Sequence, residues 1–234
     1  MLDSVALRAR LAGVRERIAR AADRARRDPS ATRLIAVSKT FDADYIRAAA
    51  DAGQVDFGEN KVQEAIQKMD RLSDLSLRWH LVGHLQSNKA RKAGERFDTI
   101  HTIDGIELGL KLEQAALVAE RRIGLLVQVD LAGEPTKHGA REDQLLSIFD
   151  AARQWRAARL IGLMVLPPAA EDPNETRAYF KALVAVRDRL LTQGVDRSSL
   201  TEFSMGMSDD FEVAVEEGAT YVRVGRAIFG SRTA

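Results

Sequence analysis

A (β/α)8 barrel preceded by an extra N-terminal helix is the fold this sequence predicts, and three observations predict it. From residue 33 onward, short β-rich apolar runs alternate with helical patterns, which is the signature of parallel strands joined by crossover helices. Eight such runs can be counted, the number that closes a barrel. The chain has 234 residues, enough for one barrel and no second domain. The reading is therefore a single domain over residues 1–234, with the helix over about 3–27 and the barrel over about 33–230. An open doubly wound sheet could also hold eight strands, but no Gly-x-Gly-x-x-Gly turn follows the first one.

The first helix rests on Leu7, Leu11, Val14, Ile18 and Ala25, which recur at helical spacing. Its other face carries Arg8, Arg15, Arg20, Arg24, Arg26 and Arg27 and reads as a solvated face, because Asp3, Glu16 and Asp23 interrupt the charge. Asp28-Pro29-Ser30 stops it. The strands then fall at Leu34–Ser38, Val55–Gly58, Trp79–Gly83, Thr99–Ile103, Gly124–Asp130, Leu160–Leu166, Leu200–Met205 and Tyr221–Gly225. Helical patterns lie between them, and Gly53, Gly94, Gly194 and Gly218 stand where glycine closes a helix.

Composition narrows the function. Lys plus Arg is 35 and Asp plus Glu is 34, a net charge of +1 that provides no basic field for nucleic acid. No stretch approaches the roughly 18 apolar residues of a membrane span, and the N-terminus has no signal-peptide core. With no cysteine there is no disulfide, thiolate nucleophile or cysteine-ligated zinc. The expected setting is cytoplasmic.

Barrel active sites lie at the C-terminal ends of the strands. Three features stand out there. Lys39, one of eight lysines against 27 arginines, ends the first strand, where a desolvated amine can form a Schiff base with a carbonyl. Arg223 sits inside the eighth strand, where a guanidinium is costly to bury unless it is paired or faces a ligand. Two glycine-bearing turns, Ser204-Met205-Gly206-Met207-Ser208 and Gly225-Arg226-Ala227, follow strands seven and eight, the usual place of a barrel's phosphate site. Their backbone N–H groups, with the hydroxyls of Ser204 and Ser208, can cradle an anion. An amine, a phosphate cradle and an arginine for a ring nitrogen are together the needs of pyridoxal 5′-phosphate (PLP). An arginine in that role disfavours ring-nitrogen protonation and weakens the ring as an electron sink. His80 and His84, spaced four apart, do not read as a zinc pair, since they straddle a strand and no Glu follows the first; no metal site is expected.

Leu34-Ile35-Ala36-Val37-Ser38-Lys39, Phe57-Gly58-Glu59-Asn60, Trp79-His80-Leu81-Val82-Gly83, Leu85-Gln86-Ser87-Asn88-Lys89, Gly162-Leu163-Met164, Ser204 to Ser208 and Val222 to Gly230 occur in order. On these segments the chain resembles the PLP homeostasis proteins, a single-domain group related to the barrel domain of alanine racemase. The resemblance implies a covalent internal aldimine on Lys39, phosphate contacts from Ser204, Gly206, Gly225 and Arg226 largely through backbone, Arg223 at the pyridine nitrogen, and Asn60 beside the ring. Many relatives have a small hydroxyl residue at Arg226, and proline and leucine at His84 and Phe203.

The function expected is a PLP-binding protein of intracellular vitamin B6 homeostasis, without robust catalysis, acting as a monomer, with PLP-dependent apo-enzymes as partners and neither nucleic acid nor membrane. One alternative is a racemase-like PLP enzyme. That would call on a second base from a further β domain, and the chain ends at Ala234, a few residues past strand eight. A cofactor-free Schiff-base aldolase is the other alternative, and it leaves Arg223 unexplained.

Overall fold

Strand β1 (Arg33–Val37) pairs in parallel with both β2 (Asp56–Glu59) and β8 (Tyr221–Val224), and this double pairing closes the sheet. Strands β3 (Arg78–Leu81), β4 (Thr99–Ile103), β5 (Ile123–Gln128), β6 (Ala158–Met164) and β7 (Glu202–Ser204) follow in chain order around the cylinder. The computed structural model describes residues 3–133 and 138–230, so Ala234 lies outside the described residues. Closure excludes the open doubly wound sheet. Every strand end falls within two residues of the one read from the sequence.

Helices α1 (Ser4–Arg24), α2 (Ala43–Asp51), α3 (Val62–Arg71), α4 (Ala90–Arg96), α5 (Ile106–Val118), α6 (Glu142–Ala152), α7 (Arg177–Thr192), α8 (Phe211–Glu216) and α9 (Arg226–Phe229) surround the strands. Helix α1 begins at Asp3, whose carboxylate accepts the Ala6 N–H. Its Leu7, Leu11, Val14 and Ile18 are buried as expected against α2, α8 and α9. The arginine face is less solvated than the charge pattern suggests. Arg15 donates to the carbonyls of Ala52 and Gly53, Arg24 pairs with Glu216 at 2.8 Å, and Arg27 bonds the carbonyls of Val215 and Ala219. Half of the stripe thus clasps α1 to the barrel.

Gly53, Gly194 and Gly218 follow helix ends with positive φ. Gly94 does not. It lies inside α4, buried, and a Cβ there would stand 2.7 Å from that of Ala115 on α5. This glycine permits close helix packing rather than ending a helix.

Side chains alternate across each strand. Leu34, Ala36, Phe57, Val222 and Val224 face the helices, whereas Ile35, Val37, Val82, Leu126, Met164 and Tyr221 fill the interior. Among the described residues, no helix is long and apolar enough to cross a membrane.

Candidate cofactor site

Lys39 lies two residues past the end of β1. Ile35 and Val37 point inward, and Lys39 stands in the turn that follows them at the C-terminal rim. Its neighbours are anchored. Ser38 is buried, gives its N–H to the Gly58 carbonyl and its hydroxyl to Glu59, and receives Lys68 Nζ at its own carbonyl. Thr40, at φ 68°, donates its N–H to Glu64 at 2.6 Å. Lys39 itself is exposed, which corrects the expectation of a desolvated side chain.

Arg223 stands opposite Ile35 in the β1–β8 register and is 4% exposed. Its Nη1 donates to Ser204 Oγ at 2.6 Å and its Nη2 to the Val165 carbonyl at 3.0 Å. Among the described residues it has no carboxylate within ion-pair distance; the ion pair left open by the sequence is absent. Burial lowers its pKa to about 10, with partial compensation from Asp210. Asp210 is itself buried, and its carboxyl is pushed up by that burial, against the pull of the Met207 N–H and of Arg223.

Ser204 is fully buried, and its hydroxyl lies between Arg223 and His101 Nδ1, the latter at 2.7 Å. It has no hydroxyl left for the mouth. Ser208, four residues on, does: its Oγ accepts the Gly225 N–H at 3.3 Å. Gly206 takes φ +88° and passes its carbonyl to Arg223 N–H at 3.0 Å. Gly225 is pressed on β1, where a Cβ would lie 3.0 Å from the Val37 carbonyl oxygen. Ile228 and Phe229 both donate to the Gly225 carbonyl, leaving Arg226 and Ala227 as the orphaned N–H groups of α9. The Arg226 guanidinium is held by Asp209 at 2.6 Å. Asn60 is half-buried at the end of β2, its backbone so near Gly83 that a Cβ there would sit 2.4 Å from the Asn60 oxygen. All seven residues expected at the site therefore lie on or just after four adjoining strands, β7, β8, β1 and β2.

The barrel interior behind Arg223 holds residues the sequence reading did not assemble. His101 Nε2 is 3.0 Å from His80 Nδ1, His80 Nε2 is 2.9 Å from Asp56 Oδ1, and Arg78 grips Asp56 through two hydrogen bonds of 2.7 and 2.6 Å. His80 and His84 part company: His80 turns inward, and His84 stacks on His138, with ring centroids 3.5 Å apart and an 11° interplanar angle. Asp104 lies beside that pair, and ligand atoms of the three fall within 4.8 Å of one another. Parallel rings send their in-plane lone pairs side by side rather than toward one point, so the stack is not arranged around an ion.

The family described as alanine racemase, N-terminal domain, matches residues 10–233. The PLP homeostasis protein of Aquifex aeolicus is 39% identical over 223 residues, 95% of this chain and 97% of its own length. That of Pseudomonas aeruginosa is 40% identical over 222 residues, 95% of this chain and 94% of its own. Among solved structures, PipY of Synechococcus elongatus PCC7942 with PLP bound superposes with a TM-score of 0.85 at 41% identity, over 96% of this chain and all of its own. An alanine racemase of Clostridium difficile 630 shares the fold (TM-score 0.73, 15% identity), and this chain covers 57% of it.

Proposed function

The chain belongs to the PLP homeostasis proteins, within the alanine racemase N-terminal-domain family, and from that premise we propose that it binds PLP where β7, β8 and β1 meet and takes part in holding the cell's PLP pool. The observation that carries the reading is Arg223: a guanidinium is buried on β8 with no carboxylate partner among the described residues, beside the strand that Lys39 follows by two residues. A buried cation with spare N–H donors needs a further acceptor, and a pyridine nitrogen provides one.

The residues present fit the group. Lys39 supplies the amine that holds the cofactor covalently, and the anchored Ser38 and Thr40 fix where that amine emerges. The N–H groups of Gly206, Arg226 and Ala227, with the Ser208 hydroxyl, form the phosphate cradle. Ser204 acts from behind, on Arg223, rather than on the phosphate. Asn60 borders the ring. When bound, PLP supplies an aldehyde for an amine and a ring that withdraws electrons. Arg223 would donate an N–H to the ring nitrogen's lone pair while keeping its own proton, which would leave that nitrogen unprotonated and favour storage over carbanion chemistry. Tyr221, one of three tyrosines, is buried in the interior with its phenol pushed up to about 12 by burial, so it is no proton donor at the mouth. The protein works in the cytoplasm as a monomer, with PLP-dependent apo-enzymes as recipients.

The test is intact mass after PLP loading, with and without borohydride, followed by peptide mapping. The expected result is one PLP fixed on the peptide bearing Lys39 and none in Lys39→Ala; a wild type that takes up no PLP overturns the reading. Incubation with L-alanine should give negligible racemisation, and turnover of about 1 per second or more would make the protein an enzyme instead.

A further inference from the structure

We propose that Asp56, His80, His101 and Ser204 are positioning residues for Arg223, forming a one-directional hydrogen-bond relay through the barrel interior that connects the buried guanidinium to a carboxylate at the barrel's opposite end. The purpose assigned to the relay rests on the PLP reading above; its existence does not.

The links are Arg223 Nη1 to Ser204 Oγ at 2.6 Å, Ser204 Oγ to His101 Nδ1 at 2.7 Å, His101 Nε2 to His80 Nδ1 at 3.0 Å, and His80 Nε2 to Asp56 Oδ1 at 2.9 Å. The step from His101 to Ser204 crosses the interior from β4 to β7, strands that are not neighbours. All five residues are less than a tenth exposed.

The proton positions follow from the two ends. Asp56, an anion gripped by Arg78, can only accept, so His80 Nε2 carries a proton. A His80 protonated on both nitrogens would force His101 to turn an Nδ1–H toward Ser204, so the consistent arrangement has a neutral His80 whose Nδ1 accepts the His101 Nε2 proton. His101 Nδ1 in turn accepts the Ser204 hydroxyl, whose oxygen accepts from Arg223. With both imidazoles neutral and protonated on Nε2, every proton in the chain has an acceptor. The other tautomer of His80 sets a lone pair against the Asp56 carboxylate. A charged His101 turns a donor toward Ser204 and leaves the hydroxyl proton between two donors. The surroundings agree: burial first, with the positive charges of Arg223 and Arg33 behind it, holds His101 well below the usual imidazole range. Tyr221 packs edge-on against both rings, at 5.6 and 5.4 Å. Each link polarises the next, so Arg223 is fixed in orientation and feels Asp56 without touching it. At the far end, Asp56 and Arg78, with Arg15, Arg33 and Gln54, line a cavity of about 330 Å³ at the N-terminal ends of β1 to β3.

The test has two arms. In the PLP-free protein, 15N NMR of labelled histidines should find His80 and His101 neutral and protonated on Nε2 across about pH 5 to 8; a proton on Nδ1 of either ring, or a charged ring at neutral pH, overturns the relay. In the PLP-loaded protein, His101→Leu should shift the visible absorption band and weaken PLP binding roughly ten- to hundredfold, as loss of support for a charge-assisted hydrogen bond predicts. His101→Gln, which can accept from Ser204 and donate to His80, should restore most of both. A folded His101→Leu with the wild-type band and affinity overturns the positioning role. If His101→Leu does not fold, Ser204→Ala cuts the same chain with less lost volume and is read identically. A wild type that takes up no PLP rejects the cofactor reading, and with it the purpose of the relay, while the NMR arm still reports the hydrogen bonds, so the two failures differ.

Discussion

Lys68 Nζ lies 2.6 Å from Glu59 Oε1, and both residues are buried. The same ammonium donates to the Ser38 carbonyl at 2.9 Å and to Glu64 at 2.7 Å. One cation thus ties α3 to the ends of β1 and β2, directly before Lys39. Burial pushes the Glu59 carboxyl up, against the pull of Lys68 and the Ser38 hydroxyl, and Glu59 Oε2 has no hydrogen-bond partner among the described residues.

Removing one partner of such a pair strands the other. Lys68→Met should destabilise the fold by about 3–5 kcal/mol, read by urea unfolding at neutral pH. Adding Glu59→Gln should recover a good part of the loss, because the amide carries no charge to strand. A Lys68→Met protein as stable as wild type would show that water already reaches this pair.

Gly206→Ala tests the turn after β7. The residue has φ +88°, and a Cβ would lie 2.5 Å from that of Ala214 and 2.9 Å from Phe211 Cα. Strain and clash together should cost about 2–4 kcal/mol. Because Gly206 also hands its carbonyl to the Arg223 N–H, PLP binding should weaken in whatever protein remains folded. Wild-type unfolding midpoints would mean that α8 can shift freely.

Much of this site could be read before any coordinates. Lys39 could be singled out because a lysine closes the first β-rich run, a signal weak by itself, and because glycine turns follow strands seven and eight, where barrels hold anions. The residues that escaped depend on relations between strands. Nothing near His80 in the chain announces His101, twenty-one positions away, and only the register places both inside with Ser204. Ser204 and Ser208 share one motif, and their roles separate only once Arg223 is seen to claim the first. Gly94 carries the same letter as Gly53, but a helix-ending glycine and a helix-packing glycine differ only in what stands opposite. The arginines of the first helical stretch looked solvated because the partners of Arg15, Arg24 and Arg27, backbone carbonyls and the carboxylate of Glu216, lie in distant segments that the local charge pattern does not show.

Asp56 gives the relay a pH signature. Burial alone would raise its carboxyl, but the hydrogen bonds from Arg78 and His80, with the charge of Arg78, outweigh this and hold it well below the usual carboxylate range. A depressed folded pKa means stability that is present above the unfolded value and lost as pH falls through the folded one. Asp56→Asn should therefore be less stable than wild type at pH 7, and the gap should close as pH drops below about 4. Unfolding midpoints at a series of pH values measure this. A gap that stays constant with pH would assign the loss to packing and not to charge.

The last prediction separates two candidates for the phosphate. The Arg226 guanidinium is exposed and bound to Asp209 at 2.6 Å, and an exposed ion pair contributes little, so Arg226→Ala should weaken PLP binding by less than about fivefold, provided the backbone N–H does the work. Ser208 differs: its hydroxyl sits at the Gly225 N–H, inside the turn. Ser208→Ala should weaken binding about tenfold, the size of one lost hydrogen bond to a charged group. Titration of both variants with PLP, followed by absorbance, gives the order. If Arg226→Ala proves the more damaging, the guanidinium leaves Asp209 to meet the phosphate.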